Sequence, residues 1–138
     1  MLEDVNILSL LMPKKDMAYI DASMNVKQTL EKMRTTGYLA IPVIAKTGEY
    51  LGSITEGDLL WPIVDDEMDE DDMEDTSIID FIRKDYSPAV RVDDIDIRML
   101  SDMLIRQNYV PIIDDRNILM GIVTRRKLLE TIFEKNSI

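Results

Sequence analysis

The chain has 138 residues, of which 46% are hydrophobic, and this is enough for one ordinary folded domain with a substantial core. It contains no cysteine and no histidine, which excludes disulfides, thiolate metal sites, cysteine nucleophiles and the commonest general base. Residues 65–75 carry nine acidic side chains and no basic one, whereas outside this acidic run 18 acidic residues face 16 basic ones. Most of the formal net charge of −11 therefore lies in the acidic run, and the rest of the chain is nearly neutral. Because nucleic-acid binding needs a concentrated basic face, this balance argues against nucleic acid as a partner.

The N-terminal segment predicts a short helix over residues 7–12 that is stopped by Pro13. No basic region precedes its apolar stretch, so it does not resemble a signal peptide, and the stretch is too short to cross a bilayer. We therefore expect a cytoplasmic protein that does not associate with membranes.

The following elements form one series that occurs twice. In the first copy, an extended segment at 18–20 precedes a helix with apolar residues at helical spacing, and strands at 39–44 and 50–54 precede a second helix that opens at Thr55. In the second copy, a short helix at 78–82 leads to the corresponding elements, which are an extended segment at 89–92, a helix that starts near Ile97, strands at 109–113 and 118–123, and a helix at 125–133. Each copy is thus predicted to be a β-α-β-β-α unit of an α/β (α+β) fold.

The two copies match at a constant offset of 69 residues, at which Pro42, Gly52 and Thr55 correspond to Pro111, Gly121 and Thr124. A duplicated unit of this length does not bury its apolar face alone, so we expect the copies to pack against each other, with any site near the seam. The expected division is a first repeat at 1–64, an acidic linker at 65–75 and a second repeat at 76–138. We expect the linker to be solvated or a frayed loop, with Met68 and Met73 as anchors to the body or to a partner.

Pro42 and Pro111 interrupt two buried strands at matched positions. Proline cannot donate a hydrogen bond to a sheet, so it lies either on an edge strand or at a gap in the pairing that faces a ligand. The matched pair leaves both interpretations open.

The first strand-to-helix turn carries residues suited to binding a ligand. Thr55 is at the helix entrance, where its hydroxyl can cap backbone N–H groups and where the helix dipole favours an anion. Asp58 shares one face of the first turn with Thr55, and a carboxylate beside a hydroxyl suits a ribose. Thr-x-x-Asp is also an ordinary capping pattern, so helix capping alone is the competing interpretation.

The second turn departs from this pattern. Lys127 stands where the first copy has the carboxylate, so we expect one good ribose site rather than two. Together with Arg125 and Arg126 it gives three adjacent cations after Thr124, and these suit a phosphate group. A solvated basic face of the last helix is the competing interpretation.

The duplication, the hydrophobic-Pro strands and the Gly-x-x-Thr-x-x-Asp turn resemble a tandem pair of CBS (cystathionine β-synthase) domains, a Bateman module. The segments at 36–43 and 121–126 look like those of small stand-alone CBS-pair proteins of Gram-positive bacteria. The resemblance implies two CBS repeats packed with pseudo-two-fold symmetry, a homodimer, and a regulatory ligand such as AMP, ADP, ATP, S-adenosylmethionine or cyclic di-AMP.

The resemblance also implies roles for individual residues. Thr55 and Asp58 would hold the ribose, while Arg125 and Arg126, next to Thr124, would take phosphate. Adenine contacts would come from backbone and apolar groups at the strand prolines, which are Tyr38, Leu39, Ala40, Ile41 and Pro42 in the first repeat and Asn108, Tyr109, Val110 and Pro111 in the second.

The expected function is therefore a regulatory adenine-nucleotide sensor that acts through an unidentified partner protein. The alternative is a ligand-free structural or dimerisation module with degenerate nucleotide sites, which Lys127 favours. An enzyme is not expected, because no nucleophile–base pair can be built without histidine or cysteine, and neither a catalytic cofactor nor a metal site is indicated.

Overall fold

A computed structural model describes residues 6–136 of the chain, and the side chains of residues 6–134. The α-helices of this part are α1 (Ile7–Leu10), α2 (Val26–Thr36), α3 (Glu56–Asp65), α4 (Glu70–Asp75), α5 (Ile97–Arg106) and α6 (Arg125–Asn136). The strands are β1 (Met12–Pro13), β2 (Ile20–Asp21), β3 (Ala40–Ile44), β4 (Tyr50–Thr55), β5 (Val90–Arg91), β6 (Tyr109–Ile113) and β7 (Leu119–Thr124). Between residues 6 and 136, no helix has the length and apolar character needed to cross a membrane.

Both predicted repeats are present, and their element order is confirmed. The first consists of β2, α2, β3, β4 and α3, and the second of β5, α5, β6, β7 and α6. In the first, β3 lies between β2, which is parallel to it, and β4, which is antiparallel. In the second, β5, β6 and β7 pair in the same way, and β1 adds a fourth strand beside β7.

The chain divides into two compact units, each of which contains a segment from outside its own repeat. The N-repeat unit is Ala18–Tyr86, and within the described chain the C-repeat unit joins residues 6–17 to residues 87–136. In the C-repeat unit, β1 pairs antiparallel with β7, although β1 precedes the first repeat in the chain. The helix predicted over 7–12 accordingly ends at Leu10, because the next residues join this sheet.

The N-repeat unit has an equivalent contact, in which Arg83 forms a bridge with Ser53 of β4. Both contacts require glycine on the returning strand. A Cβ atom on Gly121 would lie 2.2 Å from the backbone oxygen of Met12, and one on Gly52 would lie 2.5 Å from that of Arg83. The lead-in segments can therefore approach β7 and β4 only because these two positions lack a side chain.

Local signals account for the ends of α2. The side chain of Asn25 accepts from the backbone N–H of Gln28 (2.8 Å), and the Gln28 side chain accepts from that of Asn25 (3.0 Å), which closes a capping box. Gly37 ends the helix with a φ of +72°, a conformation that favours glycine. Residues within a few positions of each end therefore account for the start and the end of this helix.

Each unit has its own hydrophobic core, formed where helices cover one face of its sheet. The core of the N-repeat unit includes Ile20, Val26, Ile41, Val43, Ile54 and Leu59. The core of the C-repeat unit includes Leu10, Leu100, Val110, Ile112, Val123 and Leu128. Burial of Leu10, worth about 1.5–3 kcal/mol for a fully buried aliphatic side chain, contributes to holding α1 on the second repeat, and Ile7 and Leu11 also pack on this core.

The acidic run is not a loop throughout, which corrects the expectation for residues 70–75. These residues form α4, and Lys27 Nζ on α2 lies 2.6 Å from Glu70 Oε1 and 2.8 Å from Glu74 Oε1. Hydrogen bonding to the two carboxylates raises the pKa of Lys27, and the lysine holds the pKa of Glu70 below its usual value. Met73 packs on the core of the N-repeat unit, so its predicted role as an anchor to the body is confirmed.

We expect Gly121→Ala to lower the free energy of unfolding by about 1–3 kcal/mol, because the new methyl group must displace the backbone at Met12. The matched control is Gly57→Ala in α3, where a Cβ atom would meet nothing closer than 3.7 Å. Since alanine is the better helix former, this control is expected to be neutral or stabilising. Urea unfolding measures both changes, and a Gly121→Ala protein as stable as the wild type would contradict the tight β1–β7 contact.

Candidate functional site

The start of α3 brings Thr55 and Asp58 into contact. The backbone N–H of Asp58 donates to Thr55 Oγ1 (3.2 Å), and the backbone N–H of Thr55 donates to Asp58 Oδ2 (2.9 Å). The pair thus closes a capping box, which is the competing interpretation of the motif. The box uses only one carboxylate oxygen, and the Asp58 side chain is 19% exposed, so its second oxygen can still accept a hydrogen bond from a ligand.

The segment that precedes β3 lies beside this helix start. The backbone N–H of Glu56 donates to the carbonyl of Leu39 (2.9 Å), and Ala40 lies opposite Thr55 in the strand register. The predicted ribose and adenine residues of the first repeat are therefore neighbours. The sequence anticipates this because a strand, a tight turn and a returning strand bring these two ends together.

The side chains of the predicted adenine residues differ in exposure. Ile41 and Pro42 are buried, so they can offer a ligand only backbone atoms. Tyr38 and Leu39 are exposed, and they line a cavity of about 380 Å³ together with Leu30, Met33, Arg34, Gly37 and Glu56.

Pro42 and Pro111 lie inside their sheets and not at the edges, since β3 and β6 both have a strand on either side. The parallel neighbours β2 and β5 pair only with the two residues after each proline, which are Val43 and Ile44 in β3 and Ile112 and Ile113 in β6. Pairing with the antiparallel neighbour continues through each proline, so only the parallel neighbour is missing beside it. Both interpretations are compatible with this arrangement, and a ligand on the unpaired side stays a prediction.

The start of α6 has the same backbone arrangement with different side chains. The backbone N–H of Arg125 donates to the carbonyl of Asn108 (2.9 Å), as its counterpart does at the start of α3. Thr124 Oγ1 accepts from the backbone N–H of Lys127 (3.0 Å), but the lysine has no carboxylate with which to close a box. The predicted strand residues Tyr109, Val110 and Pro111 are buried and can contribute only backbone groups to a ligand.

Four of the predicted residues surround one cavity in the C-repeat unit. Its volume is about 470 Å³, and it is lined by Asn108, Thr124, Arg125, Arg126, Leu129, Glu130 and Phe133. Small-molecule sites in proteins typically measure about 300–1,000 Å³. The mixture of a hydroxyl, an amide, two arginines and apolar side chains suits a ligand that carries both a phosphate group and an apolar part.

The two arginines at this cavity are not equivalent. Arg125 donates from Nε to the carbonyl of Leu104 (2.6 Å) and from Nη2 to that of Gln107 (3.3 Å), so it caps the end of α5. Arg126 has a side chain that is 88% exposed and is paired with Glu130 at 3.0 Å. Arg126 can therefore turn towards a phosphate at little cost, whereas Arg125 would first have to leave the α5 carbonyls. Phosphate binding by either residue stays a prediction.

Arg83, which lies close to Asp58, and Tyr86, which contacts Arg83, are absent from the sequence-based site. Arg83 Nε lies 3.8 Å from Asp58 Oδ1, and the Arg83 guanidinium lies over the ring of Tyr86, 5.4 Å from its centroid. The repeat reaches this segment only as a Lys-Asp pair, which occurs at 15–16 and again at 84–85. Local sequence does not reveal that a segment just before the second repeat lies against the first.

The side chains at the two helix starts are of the kinds that bind a small polar ligand. Together they supply a carboxylate, two threonine hydroxyls and exposed arginine donors, with apolar side chains beside them. Among residues 6–136, no group of three or more acidic side chains is placed to hold a metal ion.

The sequence profile of the CBS domain matches residues 6–67 and 80–134, which is most of the chain. The chain belongs to the CBS-domain family. The tandem CBS pair expected from the sequence is confirmed, with the β-α-β-β-α order described above. No curated protein sequence matches this CBS protein.

Solved structures of other CBS proteins have a similar fold. The structure of CbpB in complex with c-di-AMP is 22% identical, with a TM-score of 0.86 over 96% of this chain and 87% of that chain. CbpB of Listeria monocytogenes in complex with c-di-AMP is 21% identical, with a TM-score of 0.81 over 93% of this chain and 95% of that chain. CBSX2 in complex with AMP is 18% identical, with a TM-score of 0.75 over 94% of this chain and 96% of that chain. The resemblance to small CBS-pair proteins of Gram-positive bacteria is thereby confirmed for the fold.

We expect Arg125→Ala to lower the free energy of unfolding of this CBS protein by about 1–3 kcal/mol without any ligand, because charged hydrogen bonds to α5 carbonyls are lost. Arg126→Ala removes only an exposed ion pair, so its effect should stay below about 1 kcal/mol. Urea unfolding of both variants measures the difference. Equal effects would show that Arg125 does not cap α5.

Proposed function

We propose that this CBS protein is a regulatory module that binds an adenine nucleotide (AMP, ADP, ATP or cyclic di-AMP), acts on a partner protein and has no catalytic role of its own. A ligand that binds one conformation of the module better than another would shift the population of the two, and a partner would respond to that shift. The proposal places the module in the cytoplasm, where adenine nucleotides are abundant.

One observation carries this proposal: each repeat presents a threonine-capped helix start beside charged groups that suit one part of a nucleotide. In the N-repeat unit, the second carboxylate oxygen of Asp58 can accept a hydrogen bond from a ribose hydroxyl. In the C-repeat unit, Arg126 suits a phosphate group at the 470 Å³ cavity. The N–H groups and dipole of each helix start also favour an anion.

Relatives of similar fold support adenine as the base of the ligand. CbpB of Listeria monocytogenes has been solved in complex with c-di-AMP, and CBSX2 has been solved in complex with AMP. These proteins are 21% and 18% identical to this chain, so an adenine ligand is proposed for it on the basis of a similar fold.

A structural module without a ligand is the second candidate, and specific contacts favour it. Asp58 closes a capping box with Thr55, and Arg125 caps α5, so both have a purely structural use. In addition, Lys127 removes the carboxylate from the second repeat.

Thermal unfolding with AMP, ADP, ATP, cyclic di-AMP and S-adenosylmethionine, with GTP as the control, separates the two candidates. We expect one adenine ligand, at a hundred times its dissociation constant, to stabilise the fold by about 2.7 kcal/mol and to raise the melting temperature by roughly 10 °C. No rise with any of these ligands at millimolar concentration would favour the structural module.

Asp58→Asn then tests the site. Asparagine keeps an oxygen for the Thr55 N–H but loses the charge that strengthens a bond to the ribose, so we expect the affinity to fall about 10- to 100-fold. The matched control is Asp72→Asn, which changes the same capping position in the box at the start of α4. Isothermal titration calorimetry should show unchanged affinity for this control, and an unchanged affinity in Asp58→Asn would remove Asp58 from the site.

We further propose that the module is a homodimer, because α3 and α6 expose large apolar side chains at matching positions. Leu60 and Val64 on α3 correspond to Leu129 and Phe133 on α6 at the 69-residue offset. Val64 is 56% exposed and Phe133 is 70% exposed, while Trp61 on α3 is 62% exposed. Exposed apolar patches of this kind mark surfaces that another chain covers, and a second copy of this chain offers a matching apolar helix to each of them.

Trp61→Glu and Phe133→Glu are each expected to shift the monomer–dimer equilibrium towards the monomer, because a charge in the dimer interface would have to be desolvated. The control is Lys127→Glu, which introduces the same side chain at an exposed polar position of α6. Sedimentation velocity measures the oligomeric state. A wild-type protein that stays monomeric at high concentration would contradict the dimer.

A further inference from the structure

The second oxygen of the Asp58 carboxylate faces a cation. Oδ2 accepts from the backbone of Thr55, whereas Oδ1 lies 3.8 Å from Nε of Arg83. This separation is an ion-pair distance but is too long for a hydrogen bond. The Arg83 side chain is 51% exposed and that of Asp58 is 19% exposed, so the guanidinium lies at the surface of the proposed ribose site.

The backbone of Arg83 is fixed where its side chain reaches this site. Its N–H donates to the carbonyl of Ser53 (2.8 Å), and its carbonyl accepts from the Ser53 N–H (3.0 Å). Gly52 makes this approach possible, because a Cβ atom there would lie 2.5 Å from the Arg83 oxygen. The position of Arg83 beside β4 is therefore a product of the fold and does not depend on the ion pair.

The guanidinium of Arg83 lies over an aromatic ring. Its central carbon is 5.4 Å from the centroid of the Tyr86 ring, within the range of a cation–π contact. A guanidinium has five N–H donors in one plane, and the Arg83 side chain is half exposed. A planar edge of donors is the arrangement that binds two oxygens of a phosphate group at once.

Building on the proposed function, we propose that Arg83 determines specificity at the first helix start by exchanging partners. In the empty site it neutralises Asp58. When a ribose hydroxyl donates to Asp58 Oδ1, the guanidinium turns to the phosphate that the same ligand carries. A nucleoside without a phosphate supplies no such partner, so the site selects phosphorylated adenosine over adenosine. Arg83 thus supplies for the first repeat the cation that Arg126 is proposed to supply for the second.

Calorimetric titration of the full chain with AMP, ADP, ATP, cyclic di-AMP and adenosine tests this selection. We expect Arg83→Gln to weaken the tightest of the phosphorylated ligands about 10- to 100-fold, the range for a charge-assisted hydrogen bond, and to change adenosine binding by less than about threefold. Arg83→Lys should retain an intermediate affinity, because it keeps the charge but not the planar edge. The matched control is Lys84→Gln, which removes the same charge from the exposed neighbouring position and should change neither affinity.

Each other outcome would count against the proposal. Equal weakening of adenosine and of the phosphorylated ligand by Arg83→Gln would assign Arg83 a structural role only, and an unchanged affinity for both would remove it from the site. A wild-type protein that binds none of AMP, ADP, ATP and cyclic di-AMP would overturn the proposed function itself. The two outcomes for Arg83→Gln just described would overturn this inference alone, so the two failures are distinguishable. Melting temperatures without ligand verify that each variant is folded before it is titrated.

Discussion

The close approach of two lead-in segments to two glycines is the contact on which the rest of the structure depends. Met12 passes Gly121 and Arg83 passes Gly52 at distances that no side chain would allow. Each contact places the segment that leads into one repeat beside the returning strand of the other, and in the N-repeat unit it also brings a cation to Asp58. The glycine that begins each Gly-x-x-Thr pattern is therefore a requirement of packing before it is a feature of a ligand turn.

At the helix starts, the groups that a ligand could use are also groups that cap a helix. An N-cap stabilises a helix by about 0.5–2 kcal/mol, and here the cap is the Thr55 hydroxyl, while the return bond of the box uses only one oxygen of the Asp58 carboxylate. A ligand can therefore bind the other oxygen without opening the box. For Arg125 the two uses compete, because its donors already reach carbonyls at the end of α5 and a move towards phosphate would uncap that helix. Ligand binding through Asp58 and Arg126 is compatible with full stability, whereas recruitment of Arg125 would compete with it.

The parts of this fold that follow from sequence are local. The capping box at Thr55, the end of α2 at Gly37 and the order of elements depend on signals a few residues apart. The same locality explains why Asn108 and Thr124 meet at one cavity, since a tight turn joins their strands. The pairing of β1 with β7 and the placement of Arg83 depend on contacts between distant segments, which no local pattern encodes. The helix α4 is not predicted for another reason. The carboxylates that cap it lie among many other acidic residues of the run and do not stand out, and Lys27, which forms ion pairs with it, is on α2.

The two helix starts have the same backbone hydrogen bonds but side chains of different charge, and the charge decides which chemical group each helix start suits. The first residue of α3 and of α6 donates its N–H to a strand carbonyl in the same way, although one is Glu56 and the other Arg125. Three residues after the capping threonine, the first repeat has Asp58 and the second has Lys127. Because the backbone hydrogen bonds are the same, these substitutions change which part of a ligand each turn can bind without changing the fold. A duplicated scaffold can thus carry a carboxylate at one helix start and a lysine at the same position of the other, and the departure of the second motif from the first is compatible with a functional site.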